Sequence, residues 1–219
     1  MEIDFWQQRW QDDQTGFHLT QVNPYLIEFW NTLQLRKDAQ VLVPMCGKSL
    51  DMVWLNQQGY QVLGVECSDK AVKEFFHEQD LQHNIESIES FKSFNNDKLS
   101  LLLGDFFQLN HTLLSEVTAV YDRASLVALP EEMRRTYVDL LIRNLPENIS
   151  ILLVTLEYDQ LKMSGPPFSV SNNEILSLYS KNFDVELLHE VDVISEQPRF
   201  KDRGLDCMVE RVYKMTRSS

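Results

Sequence analysis

Short apolar runs alternate with helical patterns along most of this chain, and that alternation limits the fold more than any other feature. AQVLVP (39–44), QVLGVE (61–66), LSLLLGD (99–105), VTAVYDR (117–123) and ISILLVTLEY (149–158) read as buried strands. Helical segments separate them. SLDMVWLNQQ (49–58) sets Leu50, Val53 and Trp54 at helical spacing, with Gly59 as its C-terminal cap. SDKAVKEFFHEQ (68–79) opens on Ser68 or Asp69 and gathers Ala71, Phe75 and Phe76 on one face. PEEMRRTYVDLLIRNL (130–145) starts with Pro130 at its first helical position and two acids in its first turn. Strands and helices in this order require right-handed crossovers and a parallel sheet covered on both faces. After residue 170 the pattern changes. SNNEILSLYSKN (171–182) is a helix, and DVELLHEVDV (184–193) and LDCMVERVYKM (205–215) are strands. Their link, ISEQPRFKDRG, is too short for a crossover helix, so they pair antiparallel at an edge. The expectation is an α/β fold: a mainly parallel seven-stranded sheet with an antiparallel C-terminal strand and helices on both faces.

Charge and cysteine usage narrow the function. The 219 residues suit one domain over 1–219, with an aromatic lid segment at 1–36 and the core at 37–219. A net charge of −13 argues against nucleic acid, whose phosphates need clustered Lys and Arg, and against anionic membranes. Cys46, Cys67 and Cys207 form no Cys-x-x-Cys pair, and the histidines offer no metal-binding spacing. The N-terminus MEIDFWQQRW lacks an apolar signal core, and no run approaches ~18 apolar residues. These features imply a protein of a reducing compartment without a metal. Gly165-Pro166-Pro167 in KMSGPPFSVS cannot sit inside a helix or central strand and reads as a surface loop.

The stretch VLVPMCGKSLDM (41–52) decides what kind of ligand the sheet edge takes. Gly47-Lys48-Ser49 looks like the end of a phosphate loop, but the first glycine of that motif would fall on Leu42, inside the strand. Lys48 and Ser49 are then solvent-facing residues at a helix start. A dinucleotide fingerprint fails too, since Gly47 is the only glycine of the loop and Pro44, Met45 and Cys46 obstruct close approach to a pyrophosphate. What remains is strand, tight turn, helix, and a second strand ending in Glu66. An acid there either merely ends the strand or accepts hydrogen bonds from ribose hydroxyls. A ligand with a free ribose and no phosphate matches S-adenosyl-L-methionine, and the strand order is that of the class I, Rossmann-like methyltransferases that use it. Asp105 and Phe106, after the third strand, suit an adenine edge and ring face; core packing is the other reading of Phe106. Asp122 and Arg123 end the fourth strand where ligands sit in open α/β sheets, and Arg123 can meet a carboxylate there.

These motifs together resemble the thiopurine S-methyltransferase family, most closely its bacterial members. The resemblance rests on FWQQRW (5–10), TGFH (15–18), VNPYL (22–26), VLVPMCGKSLDM (41–52), VLGVE (62–66), YDRASLVAL (121–129), GPPFSV (165–170) and RFKDRGLD (199–206). It implies that Trp10 lies over the cofactor and that Met45, where the family commonly has Leu, contacts it. It further implies cofactor roles for Glu66, Asp105, Phe106 and Arg123, although animal relatives carry Ser-Ile in place of Asp105-Phe106. Phe17 and Arg199 match acceptor-pocket positions. The implied protein is a cytoplasmic monomer that moves methyl groups to small-molecule thiols.

The aromatics Phe5, Trp6, Trp10, Phe17 and Trp30 suit a water-excluding lid, with NPYLIEFWNTL (23–33) as a helix capped by Asn23; ordinary packing of a leading helix explains Trp6 and Trp30 better, and Trp10 less well. Methyl transfer to a thiolate is an in-line displacement that needs the reacting atoms aligned at ~3–3.5 Å and water excluded. Arg123 and Arg199 are the expected catalytic residues, favouring the thiolate, and no dedicated base is required. The competing readings are selenium, tellurium or other small acceptors on the same fold, a nucleotide-dependent oxidoreductase, and a non-catalytic cofactor sensor.

Overall fold

The computed structural model describes residues 3–218; Met1, Glu2 and Ser219, which the expected 1–219 unit includes, lie outside the described residues. Nine strands form one sheet: β1 (Gln40–Val43), β2 (Gln61–Glu66), β3 (Asn84–Ile88), β4 (Phe91–Asn95), β5 (Leu99–Leu103), β6 (Val117–Arg123), β7 (Ser150–Glu157), β8 (Phe183–Asp192) and β9 (Val209–Arg217). Their order is β3-β4-β5-β2-β1-β6-β7-β9-β8. The five central strands β5, β2, β1, β6 and β7 run parallel. β9 inserts antiparallel between β7 and β8, as the short link after β8 requires.

Seven strands were expected, and the two additional ones form an antiparallel hairpin, β3–β4, against β5. β3 (NIESI) is polar and almost wholly exposed at the sheet edge, so it carries no apolar run; only β4 presents buried residues, Phe91, Ser93 and Phe94. The last strand begins at Val209 rather than near 205, and Leu205 and Met208 instead fill a small satellite core with Phe200 and Tyr158.

Strand alternation explains why both faces are covered. Leu42, Leu63, Val65, Val120 and Leu153 point to one side, where α5 (His111–Leu114), α6 (Glu131–Asn144) and α7 (Asn172–Tyr179) contribute Leu114, Tyr137, Leu141 and Ile175. Val41, Val43, Val62, Tyr121 and Leu152 point to the other, against α2 (Pro24–Phe29), α3 (Leu50–Gln57) and α4 (Asp69–Glu78). The helix starts follow their side chains. Asn23, Ser49 and Ser68 accept from the first-turn amides of α2, α3 and α4. Pro130 stands just before α6 as its cap rather than inside it. The helix expected over 23–33 tightens at Trp30 into a 3-10 turn, and Trp30 packs edge-on against Tyr60 and Tyr121 in the core.

α1 (Ile3–Gln11) and residues 12–22 cross the carboxyl edge of the parallel strands. Buried Asp51, at the start of α3, fixes where this segment joins the core. Its Oδ1 accepts from the Asn23 N–H at 2.8 Å and its Oδ2 from the Tyr121 hydroxyl at 3.0 Å.

Candidate active site

A cavity of about 950 Å³ lies over the carboxyl ends of β1, β2, β5 and β6 and under the N-terminal segment. Its floor is the turn after β1. Met45 and Gly47 both have positive φ, 45° and 54°. The Cys46 N–H donates to the Val65 carbonyl at 3.0 Å, which folds the turn against β2. Glycine is required at 47 for a second reason: a Cβ there would meet Trp10 Cζ2 at 2.9 Å. Trp10, 2% exposed, therefore lies directly on the turn.

Glu66 closes the end of β2 and is 5% exposed. Its Oε2 accepts from the Gly47 N–H at 2.9 Å and its Oε1 from the Ser68 N–H at 2.7 Å. Burial pushes its pKa up, and the backbone donors at Ser68 and Gly47 partly offset this. The Cys67 thiol also donates to Oε1, at 3.4 Å, so Oε2 keeps the further lone pair for a ligand hydroxyl. On the β5 side, Asp105 caps a short turn through the Phe107 N–H at 2.9 Å. Phe106 stacks on Tyr137, centroids 5.0 Å apart, so it belongs to the core as well as to the wall.

The β6 end turns sharply. Ala124 takes φ 72°, and buried Asp122 accepts from the Ser125 and Leu126 amides and, at 2.6 Å, from the Tyr137 hydroxyl. Burial raises the Asp122 pKa against these donors. The Ser125 hydroxyl donates to the Pro44 carbonyl at 2.6 Å, tying the two loops that flank the cavity.

The roof is aromatic. Phe17 meets Trp6 and Trp10 edge-on at centroid separations of 5.7 and 5.6 Å. Trp6 thus lines the cavity, unlike core-packed Trp30. Two arginines hold the roof's backbone: Arg123 Nη1 donates to the Phe17 carbonyl at 3.2 Å, and Arg199 Nη1 to the Gly16 carbonyl at 2.8 Å. Arg199 comes from α8 (Pro198–Lys201), far along the chain.

A family model described as thiopurine S-methyltransferase matches residues 1–218. The chain belongs to that family. Among relatives named thiopurine S-methyltransferase, that of Nitrosospira multiformis is 46% identical over all of both chains, and that of Azotobacter vinelandii is 47% identical over 99% of this chain and 100% of its own. Solved structures show the methyltransferase fold at lower identity. An S-adenosylmethionine-dependent methyltransferase from Anabaena variabilis aligns with TM-score 0.67 at 15% identity, covering 99% of this chain and 95% of its own. The Burkholderia thailandensis 1,6-didemethyltoxoflavin-N1-methyltransferase, solved with S-adenosylhomocysteine, aligns with TM-score 0.66 at 14% identity, over 99% and 87%.

In this thiopurine S-methyltransferase family member, all eight residues singled out from the sequence, Trp10, Phe17, Met45, Glu66, Asp105, Phe106, Arg123 and Arg199, line the same cavity. Lys48 corrects the sequence reading. Its side chain is only 13% exposed and bonds Glu74 and Glu78 of α4 at 2.8 and 2.6 Å. The Pro166-Pro167 loop also lines the cavity, with cis peptide bonds before both prolines. His18, Tyr25 and Phe200 were missed as wall residues. Each is a single residue without periodicity, although each stands inside a quoted motif: His18 in TGFH, Tyr25 in VNPYL and Phe200 in RFKDRGLD.

Proposed function

We propose that the cavity takes S-adenosyl-L-methionine along the β1–β2 side and an aromatic or heterocyclic thiol, of which thiopurines are the type, beneath Phe17. Membership of the family makes the chain an S-adenosylmethionine-dependent S-methyltransferase. The observation that carries the binding reading is the buried Glu66 carboxylate, held by Gly47 and Ser68 at the end of β2 under an aromatic roof. An acid and a glycine-poor turn suit a ribose without phosphates. Glu66 would hold the ribose hydroxyls, Asp105 and Phe106 the adenine, Trp10 and Met45 the methionine part, and Arg123 its carboxylate. When bound, the cofactor supplies an electrophilic methyl group on a positively charged sulfur.

The protein's own share is positioning and water exclusion. Trp6, Trp10 and Phe17 shield the reacting end. Arg123 and Arg199 each spend one N–H on the roof, which leaves other guanidinium donors for an anionic acceptor. Residues 3–22 are a lid over the core in this reading, shorter than the expected 1–36 segment, because Leu26, Trp30 and Leu33 belong to the core itself. No helix among the described residues is long and apolar enough to cross a membrane. Three free cysteines suit the cytoplasm, where the proposed form is a monomer.

Transfer of labelled methyl from S-adenosylmethionine to 6-mercaptopurine by the purified protein tests the acceptor class. Transfer supports the thiol reading. Intact cofactor binding with transfer only to selenite or tellurite would reassign the acceptor.

A further inference from the structure

Among the histidines of the described residues, only His18 lines the cavity. Its place is set tightly. Its own N–H closes a turn on the Thr15 carbonyl at 2.8 Å, and the two carbonyls before it, Gly16 and Phe17, are pinned by Arg199 and Arg123. The half-buried ring makes no hydrogen bond and no ion pair with the described residues, so its lone-pair nitrogen is unspent. Three other cavity bases, Asp51, Glu66 and Asp105, are engaged; Asp4, Glu196 and Glu210 also line the cavity, the last two facing Tyr25. Both Asp51 oxygens and both Glu66 oxygens already accept protein donors, and Asp105 caps a turn. Burial and Glu66 hold the Cys67 thiol protonated.

We propose that His18 is the proton acceptor for thiols that reach the site un-ionised. This rests on the S-methyl transfer reading and deepens it. The S–H bond breaks and its proton passes to the His18 ring nitrogen. The freed sulfur pair forms the bond to the donor's methyl carbon. The methyl–sulfonium bond breaks with its pair left on the donor sulfur, and the imidazolium then gives its proton to water. The charges facing His18 suit a neutral ring at pH 7. Burial lowers its pKa first; Lys48 from the β1 turn and Arg123 from β6 lower it too, while Glu78 and Glu74 of α4 pull the other way. A neutral imidazole between cations can take a proton and still sheds it readily, as a general base must.

Two thiophenols separate this from the arginine effect. At pH 6, 4-nitrothiophenol is ionised in solution and 4-methoxythiophenol is mostly protonated. Relative to wild type, His18→Gln is expected to lose about 100-fold in kcat/KM for the methoxy compound and less than about threefold for the nitro compound. In H18Q the acid limb of the methoxy pH profile should follow the ionisation of the thiol itself instead of that of His18. Without cofactor, H18Q should bind the methoxy compound with the absorption of a thiol. Equal loss on both acceptors, or a thiolate spectrum in H18Q, would overturn the role of His18. A wild type that binds cofactor yet methylates neither thiophenol overturns the acceptor reading and this proposal with it.

Discussion

One residue at the sheet edge carries a conformation that the cavity needs. Gly47 combines φ 54° with contact against Trp10. Gly47→Ala adds about 1–2 kcal/mol of left-handed strain and pushes the Trp10 ring off the turn, so we expect cofactor affinity to fall more than stability does. Calorimetric titration beside urea unfolding checks this; a variant that is destabilised but binds normally would remove Trp10 from the site. Glu66→Ala strips a carboxylate that holds two backbone amides. Charge-assisted hydrogen bonds contribute about 1.5–3 kcal/mol, so cofactor binding should weaken on the order of 10–100-fold, and wild-type affinity would exclude Glu66. Asp122 offers a pH test. Its folded pKa is raised, so the folded state binds its proton more tightly than the unfolded chain does. This group's contribution to stability is therefore lost as pH rises from the ordinary carboxylate value of about 3.9 through the folded one. Asp122→Asn keeps an acceptor for the Ser125 and Leu126 amides and removes the titration. The unfolding free energy of D122N relative to wild type should improve between pH 4 and pH 7; a pH-independent difference refutes the burial argument.

At the scale of elements, legibility followed burial. β1, β2, β5, β6 and β7 are buried on both faces, so their sequences are apolar runs that nothing else explains. β3 pairs through its backbone with an exposed polar sequence, and the five residues of β4, with Phe91, Ser93 and Phe94 buried, were too few to mark a hairpin. The site divides in the same way. Trp10, Glu66 and Arg123 stand where strand ends and a family motif fix them, whereas the burial of Lys48 depends on Glu74 and Glu78 one crossover away. The grip of Arg199 on Gly16 spans most of the chain, and its hydrogen-bonding partner could not be inferred locally. That grip makes α8 a brace for the strap at 12–22. Arg199→Ala should loosen the strap over the acceptor end, where misplacement by about 1 Å can cost on the order of 100-fold in rate. Cofactor affinity, which the proposed site draws from β1 and β2, should stay within about threefold. Steady-state kinetics with 6-mercaptopurine beside cofactor titration decides this. A loss confined to cofactor binding would mean that Arg199 serves the donor instead.

The molecule as a whole joins two parts of unequal anchoring. The sheet is packed on both faces, whereas α1 and the strap lie over the cavity with few direct ties to the core. Those ties include Gln7 to the Cys67 carbonyl at 3.1 Å, Asp13 to Lys70 at 2.6 Å, Trp10 on Gly47, Val22 on the core, and the two arginine contacts. The Asp13–Lys70 pair is exposed and adds little. A segment so held opens at a free energy well below that of global unfolding. A ligand under it meets both parts, and its binding energy is shared between closing the lid and stabilising the whole. At 100 times Kd a ligand adds about 2.7 kcal/mol, which for a chain of this size raises Tm by roughly 5–10 °C. Hydrogen exchange should show where that energy goes. On adding S-adenosylhomocysteine, amides of residues 3–21 should slow by a larger factor than those of β1 and β2, which already exchange only through rare openings. Protection spread evenly over lid and sheet would mean that the two parts open as one unit and that the N-terminal segment is not a separate lid.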